Sequence, residues 1–198
     1  MAEVKIAADS GGGSVGLVGP ASTTGNVARQ ITLPDVANGT LRTTTTPGAI
    51  LQVVSTTSST NDSTTDNWDQ TNDKGTNIGP TLSITPSSTS SKIIINWSGG
   101  VFLSGGSQVN KIGMIGLWNE TTDTMLTMGR VGANIDASGD DWGQGLTITG
   151  LDSPSSTSAQ VYTLQAGRYS GTYDNTISIN TDSGFGPKVN FYAMEIAG

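Results

Sequence analysis

The sequence contains no cysteine and no histidine among its 198 residues. The first absence removes disulfides, thiol nucleophiles and thiolate metal sites together. The second removes the commonest general base and the commonest metal ligand, so any catalysis would fall to carboxylates, Lys, Tyr or Ser. Basic residues are sparse as well: 9 Lys and Arg stand against 16 Asp and Glu, for a formal net charge of −7. Scattered cations in that number do not assemble the clustered positive surface that a phosphate backbone demands, which excludes nucleic acid as a partner. No long apolar run and no basic amphipathic segment is present, and the opening MAEVKIAADS lacks the apolar centre of a secretory signal. The expectation is a chain with no membrane partner, made and assembled in a cytoplasm.

What the chain does have is glycine, serine and threonine in quantity, with 27 glycines, 34% hydrophobic residues and only 13% charged ones. Disordered chains are charge-rich and poor in branched apolar residues, whereas here Ile, Val and Leu are grouped in short runs between turn residues. The composition therefore predicts an all-β fold with many turns. Its most apolar short segment is Ile93-Ile94-Ile95, entered from the Ser/Thr cluster after Pro86 and followed by Gly99-Gly100. Consecutive β-branched residues put apolar side chains on both faces of a strand, and the run is too short for a buried helix. We expect a central strand buried on both faces and ended by the glycine pair, hence a sandwich or a subunit interface.

The rest of the chain divides near Pro47. Residues 1–46 hold short β-compatible pieces, Ser14–Val18 and Asn26–Leu33, punctuated at Gly19-Pro20 and Pro34-Asp35 and closing with Ala37–Leu41. They carry too few apolar residues for a core of their own, so this segment is expected to be an extended β-arm that intertwines or docks. Its contact residues would be Val15, Leu17, Val18, Ile31, Leu33 and Leu41. Residues 47–198 carry longer strands: Ala49–Ser55, Leu82–Ile84, Val101–Leu103, Lys111–Trp118, Thr124–Val131, Leu146–Leu151, Ala159–Ala166, Thr176–Asn180 and Val189–Ile196. In the last of these Tyr192, Met194 and Ile196 share one face. Short strands at such spacing predict a β-sandwich of jelly-roll-like topology. Residues 56–77, polar apart from Trp68, read as a long contact loop.

Motifs for chemistry do not survive their context. Gly11 to Gly16 fits both a dinucleotide-binding and a nucleophile-elbow pattern. The first needs a helix that Val15 to Pro20 cannot open, and the second a histidine the chain lacks. Asn134, Asp136, Ser138 and Asp140 have the alternating oxygens of a calcium loop and form the weak metal candidate. The bidentate acid expected further on falls on Gly145, so a solvated hairpin loop is the favoured reading. Asp140 and Asp141 beside Trp142 suggest a carbohydrate contact, but glycoside hydrolysis needs two carboxylates set apart across a cleft. Of the four tryptophans, Trp97 and Trp118 end apolar strands and read as core. Trp68 and Trp142 sit in acidic polar loops and are the expected partner-contact residues. No catalytic residue and no cofactor is expected.

Several stretches together carry a resemblance: Ala49–Val54, Thr81–Ile95, Leu151–Ala159 with Tyr162 and Gln165, and Met194–Ala197. They resemble a β-rich module common in tailed-bacteriophage virion proteins, many of them tail fibres. Ser14–Ala21, Ile31–Pro34 and Gly39–Leu41 are similar to the trimer-forming extensions that precede such modules. The resemblance implies a non-enzymatic homotrimer located in the virion, and it carries over no catalytic or ligand residue. A fibre would begin with a tail adaptor and a long shaft, whereas little chain precedes the Ser14 strand here. The expectation is therefore a capsid decoration or cement protein partnered by the major capsid protein. The alternative is a short tail fibre or receptor-binding protein, partnered by tail proteins and touching host glycan or protein.

Overall fold

The computed structural model describes residues 3–7, 14–18, 47–107, 110–134, 141–179 and 189–198. The chain divides into two compact units, Met1–Leu41 and Arg42–Gly198. In the first, β1 (Glu3–Ala7) and β2 (Ser14–Val18) pair antiparallel, with Val4 opposite Leu17 and Ile6 opposite Val15. The sequence reading anticipated only the second strand, since the Val-Lys-Ile alternation of β1 is too brief to stand out. Ile31, Leu33 and Leu41 lie outside the described residues.

The second unit is an all-β sandwich of two antiparallel sheets with a jelly-roll-like fold, and no helix occurs among the described residues. Its strands are β3 (Ile50–Ser58), β4 (Asp62–Thr64), β5 (Thr76–Ile84), β6 (Lys92–Ser104), β7 (Asn110–Asn119), β8 (Thr124–Asn134), β9 (Trp142–Asp152), β10 (Gln160–Arg168), β11 (Thr176–Ile179) and β12 (Val189–Ile196). The smaller sheet runs β5-β10-β7-β8. The larger runs β3-β12-β6-β11-β4, with β9 paired to the other edge of β6.

β6 is the central strand that the triple isoleucine predicts, but it is 13 residues long and does not stop at Gly99-Gly100. Gly99 serves packing rather than a turn: a Cβ there would lie 2.9 Å from the Trp97 ring and 3.0 Å from Val189. A glycine leaves room for the indole inside the sandwich. The expectation of burial on both faces also needs correction. Ile93, Ile95, Trp97, Val101 and Leu103 point inward and are fully buried, while Ile94, Asn96, Ser98 and Phe102 alternate outward and remain part-exposed. The inward set meets Ile115, Leu117, Tyr162 and Leu164 of the smaller sheet, with Phe191 and Ala193 alongside. Each such side chain contributes roughly 1.5–3 kcal/mol by leaving water.

One inward position of β12 is charged. Glu195 is fully buried, and its Oε1 accepts hydrogen bonds from the Ser87 amide at 2.6 Å, the Ser87 hydroxyl at 2.7 Å and the Ser91 hydroxyl at 2.7 Å. Its Oε2 accepts one from Gln52 Nε2 at 2.7 Å, and Gln52 is its register partner on β3. The carboxylate thus fastens the serine-rich turn after Pro86 to the sheet. Burial opposes ionisation, but the bonds from Ser91, Ser87 and Gln52 outweigh it and hold the pKa below the ordinary glutamate value.

The alternation on β6 and the clasp on β12 can each be tested by unfolding. Ile95→Ala should cost about 2–5 kcal/mol in urea unfolding and Ile94→Ala under about 1.5 kcal/mol, because only the first opens a cavity in the core. Equal losses would contradict the alternation. Glu195 has a lowered folded-state pKa, so its contribution is complete above the ordinary value of 4.5 and is lost as pH falls through the lowered one. Glu195→Gln should therefore lose about 1–3 kcal/mol at neutral pH. The gap to the wild type should close as unfolding is measured toward about pH 3.

Candidate interaction surface

The residues expected to meet partners are placed unequally. Trp68, expected in an open loop, is buried at 4% exposure. The stretch around it is not structureless: β3 extends to Ser58, β4 pairs with β11, residues 66–68 lie along the end of β10 at Arg168, and Asp69 bridges to Lys74. The Trp68 amide donates to the Arg168 carbonyl at 2.8 Å and the Arg168 amide to the Asp66 carbonyl at 2.8 Å. Glycines make the seat for the indole. A Cβ would come within 2.8 Å of the ring at Gly75 and 3.0 Å at Gly116, and at Gly167 within 2.7 Å of the Trp68 amide nitrogen. Folding does justify this aromatic, which covers the outer face of β7 and β10. Trp142 begins β9 opposite Leu103 and is half-buried against the core. Trp97 and Trp118 are buried, as expected.

Of the calcium-loop candidates, Asn134 ends β8 opposite Asn110, while Asp136, Ser138 and Asp140 lie outside the described residues. Other acids hold structure together. Asp152 accepts from Asn119 Nδ2 at 2.7 Å and from the Tyr162 hydroxyl at 2.9 Å. Burial, then the hydrogen bond to Asp152, pushes that hydroxyl above the ordinary tyrosine pKa. Glu120 accepts from Thr163 Oγ1 at 2.8 Å and Gln165 Nε2 at 3.1 Å. Asp123 pairs with Lys74 at 2.6 Å and accepts from the Trp118 indole at 3.2 Å, while Lys74 lies 5.0 Å from the Trp118 ring centre. The hydrogen bond from Lys74, then its charge, lowers the Asp123 pKa, and the same bond raises that of Lys74.

A surface that the sequence reading did not single out lies on the outer face of the larger sheet. The ladder aligns Val53 with Met194, Met194 with Ile94, and Ile94 with Leu151, one uninterrupted row across β3, β12, β6 and β9. A second row begins with Ile50 opposite Ile196 and ends at Lys92. Ile50 is 59% exposed, Val53 57% and Leu151 58%, three of the four large apolar side chains most open to solvent among the described residues. Met194, Ile94 and Ile196 between them are half-buried by their neighbours. Single exposed apolar residues need no explanation, but two adjacent rows spanning a sheet make a patch of the kind that partners cover. The available signal was the period-two set Tyr192, Met194 and Ile196.

A scan of protein-family models finds no match, and a search of curated proteins finds no relative. Among solved structures, the chain has a low similarity to VP2 in the subviral particle of infectious bursal disease virus. There the identity is 14% and the TM-score 0.28, with 85% of this chain and 37% of that chain covered. A chain in the structure of the Gx strain of that virus matches at 14% identity and TM-score 0.27, over 86% of this chain and 42% of that one. The CBM22-1 xylan-binding domain of Xyn10C from Paenibacillus barcinonensis matches at 12% identity and TM-score 0.27, over 77% of this chain and 97% of that domain. The chain thus spans well under half the length of the viral proteins it matches.

Proposed function

We propose that this chain is a non-enzymatic structural protein of a virus particle, a homotrimeric decoration or cement protein that stabilises a phage head. The observation that carries the reading is the outer apolar face of the larger sheet, the Val53–Met194–Ile94–Leu151 row with Ile50 and Ile196 beside it. A chain of net charge −7 repels its own copies, and it associates best where charge is missing. Those rows supply such a place, with Lys92 at the end of the second.

In this reading the outer faces are buried between copies around a three-fold axis, and the N-terminal segment of residues 1–46 docks and intertwines. The trimer then grips the major capsid protein at three points. Weak contacts made together hold through effective concentration, and binding energy is the whole mechanism. The acids named above support a non-catalytic role, because Glu195, Asp152 and Glu120 are committed to hydrogen bonds that close turns and strands. The location is the virion, after assembly in the host cytoplasm. The fibre-tip alternative loses one of its two contact aromatics to the core, since Trp68 is buried.

Val53→Asp should leave the melting temperature of the sandwich within a few degrees of wild type while removing the trimer in sedimentation. A trimer of unchanged stability would refute the face as its interface. On purified particles, gel densitometry should count the protein in hundreds of copies. A small multiple of three or six would place it in the tail instead.

A further inference from the structure

We infer that β9 is a docking edge for the β9 strand of a second copy, so that two copies join their larger sheets about a two-fold axis. This contact shares Leu151 with the three-fold interface proposed above but rests on the strand edge and stands without it. One edge of β9 is paired with β6 from Leu103 back to Ile93, and among the described residues the other edge is unpaired. A long unpaired strand offers a row of free N–H and C=O groups, and proteins that stay apart blunt such edges with charge, proline or a bulge. Here residues 142–151, WGQGLTITGL, carry no charge and no proline, and the β6–β9 ladder has no register shift.

The side chains favour one register. On the outer face β9 presents Gly143, Gly145, Thr147, Thr149 and Leu151. Antiparallel self-pairing centred on Ile148 sets Thr147 against Thr149 of the second copy and Leu151 against its Gly145. Gly145 is open, with nothing within 4 Å of a Cβ placed there, and its own register partner is Gly100, so the floor beside it is bare. The neighbouring register, centred on Thr147, would send Leu151 to Gly143, where the Phe102 ring already lies 2.5 Å from a Cβ position. The Ile148 register therefore fits a large side chain over Gly145, the glycine of β9 with open space above it.

Charge agrees. The pairing brings Gln144 opposite Asp152 of the other copy, whose Oδ2 already accepts from Asn119 and Tyr162 of its own chain, so an uncharged amide faces the carboxylate and no like charges face each other. On the inner face Ile148 meets its own counterpart beside a largely apolar slot lined by Ile115, Met128, Val131 and Leu146, with Arg130 also at its wall. Met128, 42% exposed at the mouth of that slot, gains cover. The second copy is thus the occupant that the strand's length, neutrality and glycine spacing suit.

The test is register-specific and uses the full chain. In sedimentation over a concentration series, the wild type should form pairs: dimers from monomers, or hexamers if the trimer is present. Thr147→Lys and Thr149→Glu should each lose the pairing while keeping the wild-type melting curve, since both positions are exposed. Mixing the two variants should restore it, because the introduced lysine of one copy then faces the introduced glutamate of the other across the axis. Mixing Thr147→Lys with Gly145→Glu should not. A wild type that never pairs, pairing that survives Thr147→Lys, or rescue by either acidic variant alike would overturn the inference. Pairs without trimers would overturn the three-fold proposal and leave this one standing; trimers without hexamers would do the reverse.

Discussion

The antiparallel ladder that holds β6 between β12 and β9 decides what every side chain around it becomes. With a period of two, a slip of one residue would exchange Ile93, Ile95 and Trp97 for Ile94, Asn96 and Ser98 and turn the core out to water. Nothing in Ile93-Ile94-Ile95 alone distinguishes the two settings. Trp97, Val101 and Leu103 on the one side and Asn96, Ser98 and Ser104 on the other do. Once that choice is made, Met194 and Leu151 must face outward beside Ile94, because their register with it leaves no alternative. The exposed apolar row is therefore a consequence of core formation. The fold alone would accept threonine or lysine at these outward positions as readily as Val, Met, Ile and Leu.

Glycine plays a second part in this architecture, as the complement of large rings. Trp68 rests against Gly75, Gly116 and Gly167, Trp97 against Gly99, and Phe102 over Gly143. Each pairing trades a glycine's conformational cost in a strand for the apolar area of an aromatic, and the second term is the larger. Trp68 in particular lets a polar segment cover β7 and β10, so those strands are buried on both faces although the sandwich has only two sheets. The indole nitrogens of Trp68 and Trp97 have no hydrogen-bond partner among the described residues, a cost that the ring burial offsets.

Much of this was legible in the sequence, and the failures have physical causes. The all-β class, most of the strands and the sandwich follow from β-branched runs between turn residues. The central place of β6 follows from its isoleucines. Gly99-Gly100 misled because a glycine pair that ends a strand and one that makes room for an indole look alike in one dimension. Trp68 misled because its seat comes from glycines up to about a hundred residues away, which composition around the tryptophan does not show. On β12 the alternation of Tyr192, Met194 and Ile196 was visible, but not its direction. The opposite face mixes Phe191 and Ala193 with Glu195, so both faces looked half-apolar until the serines after Pro86 gave the carboxylate its partners.

The distribution of charge follows the fold closely. Acidic residues are in excess, yet several are drawn into the structure: Glu195 beneath a serine turn, Asp152 under Tyr162, Glu120 against Thr163 and Gln165, Asp123 beside Lys74. Each of these carboxylates accepts hydrogen bonds from side chains elsewhere in the chain and so ties one stretch to another. Two of the edge strands of the larger sheet, β3 and β9, are treated in the opposite way. β3 carries no charged residue at all, and β9 none before Asp152. In a molecule of net charge −7, the apolar outer face between these two edges is where the charge density is lowest on the larger sheet. Acids fasten the chain to itself, and on the larger sheet Glu195 and Asp152 do so too, leaving the outer face between β3 and β9 to uncharged side chains apart from Lys92.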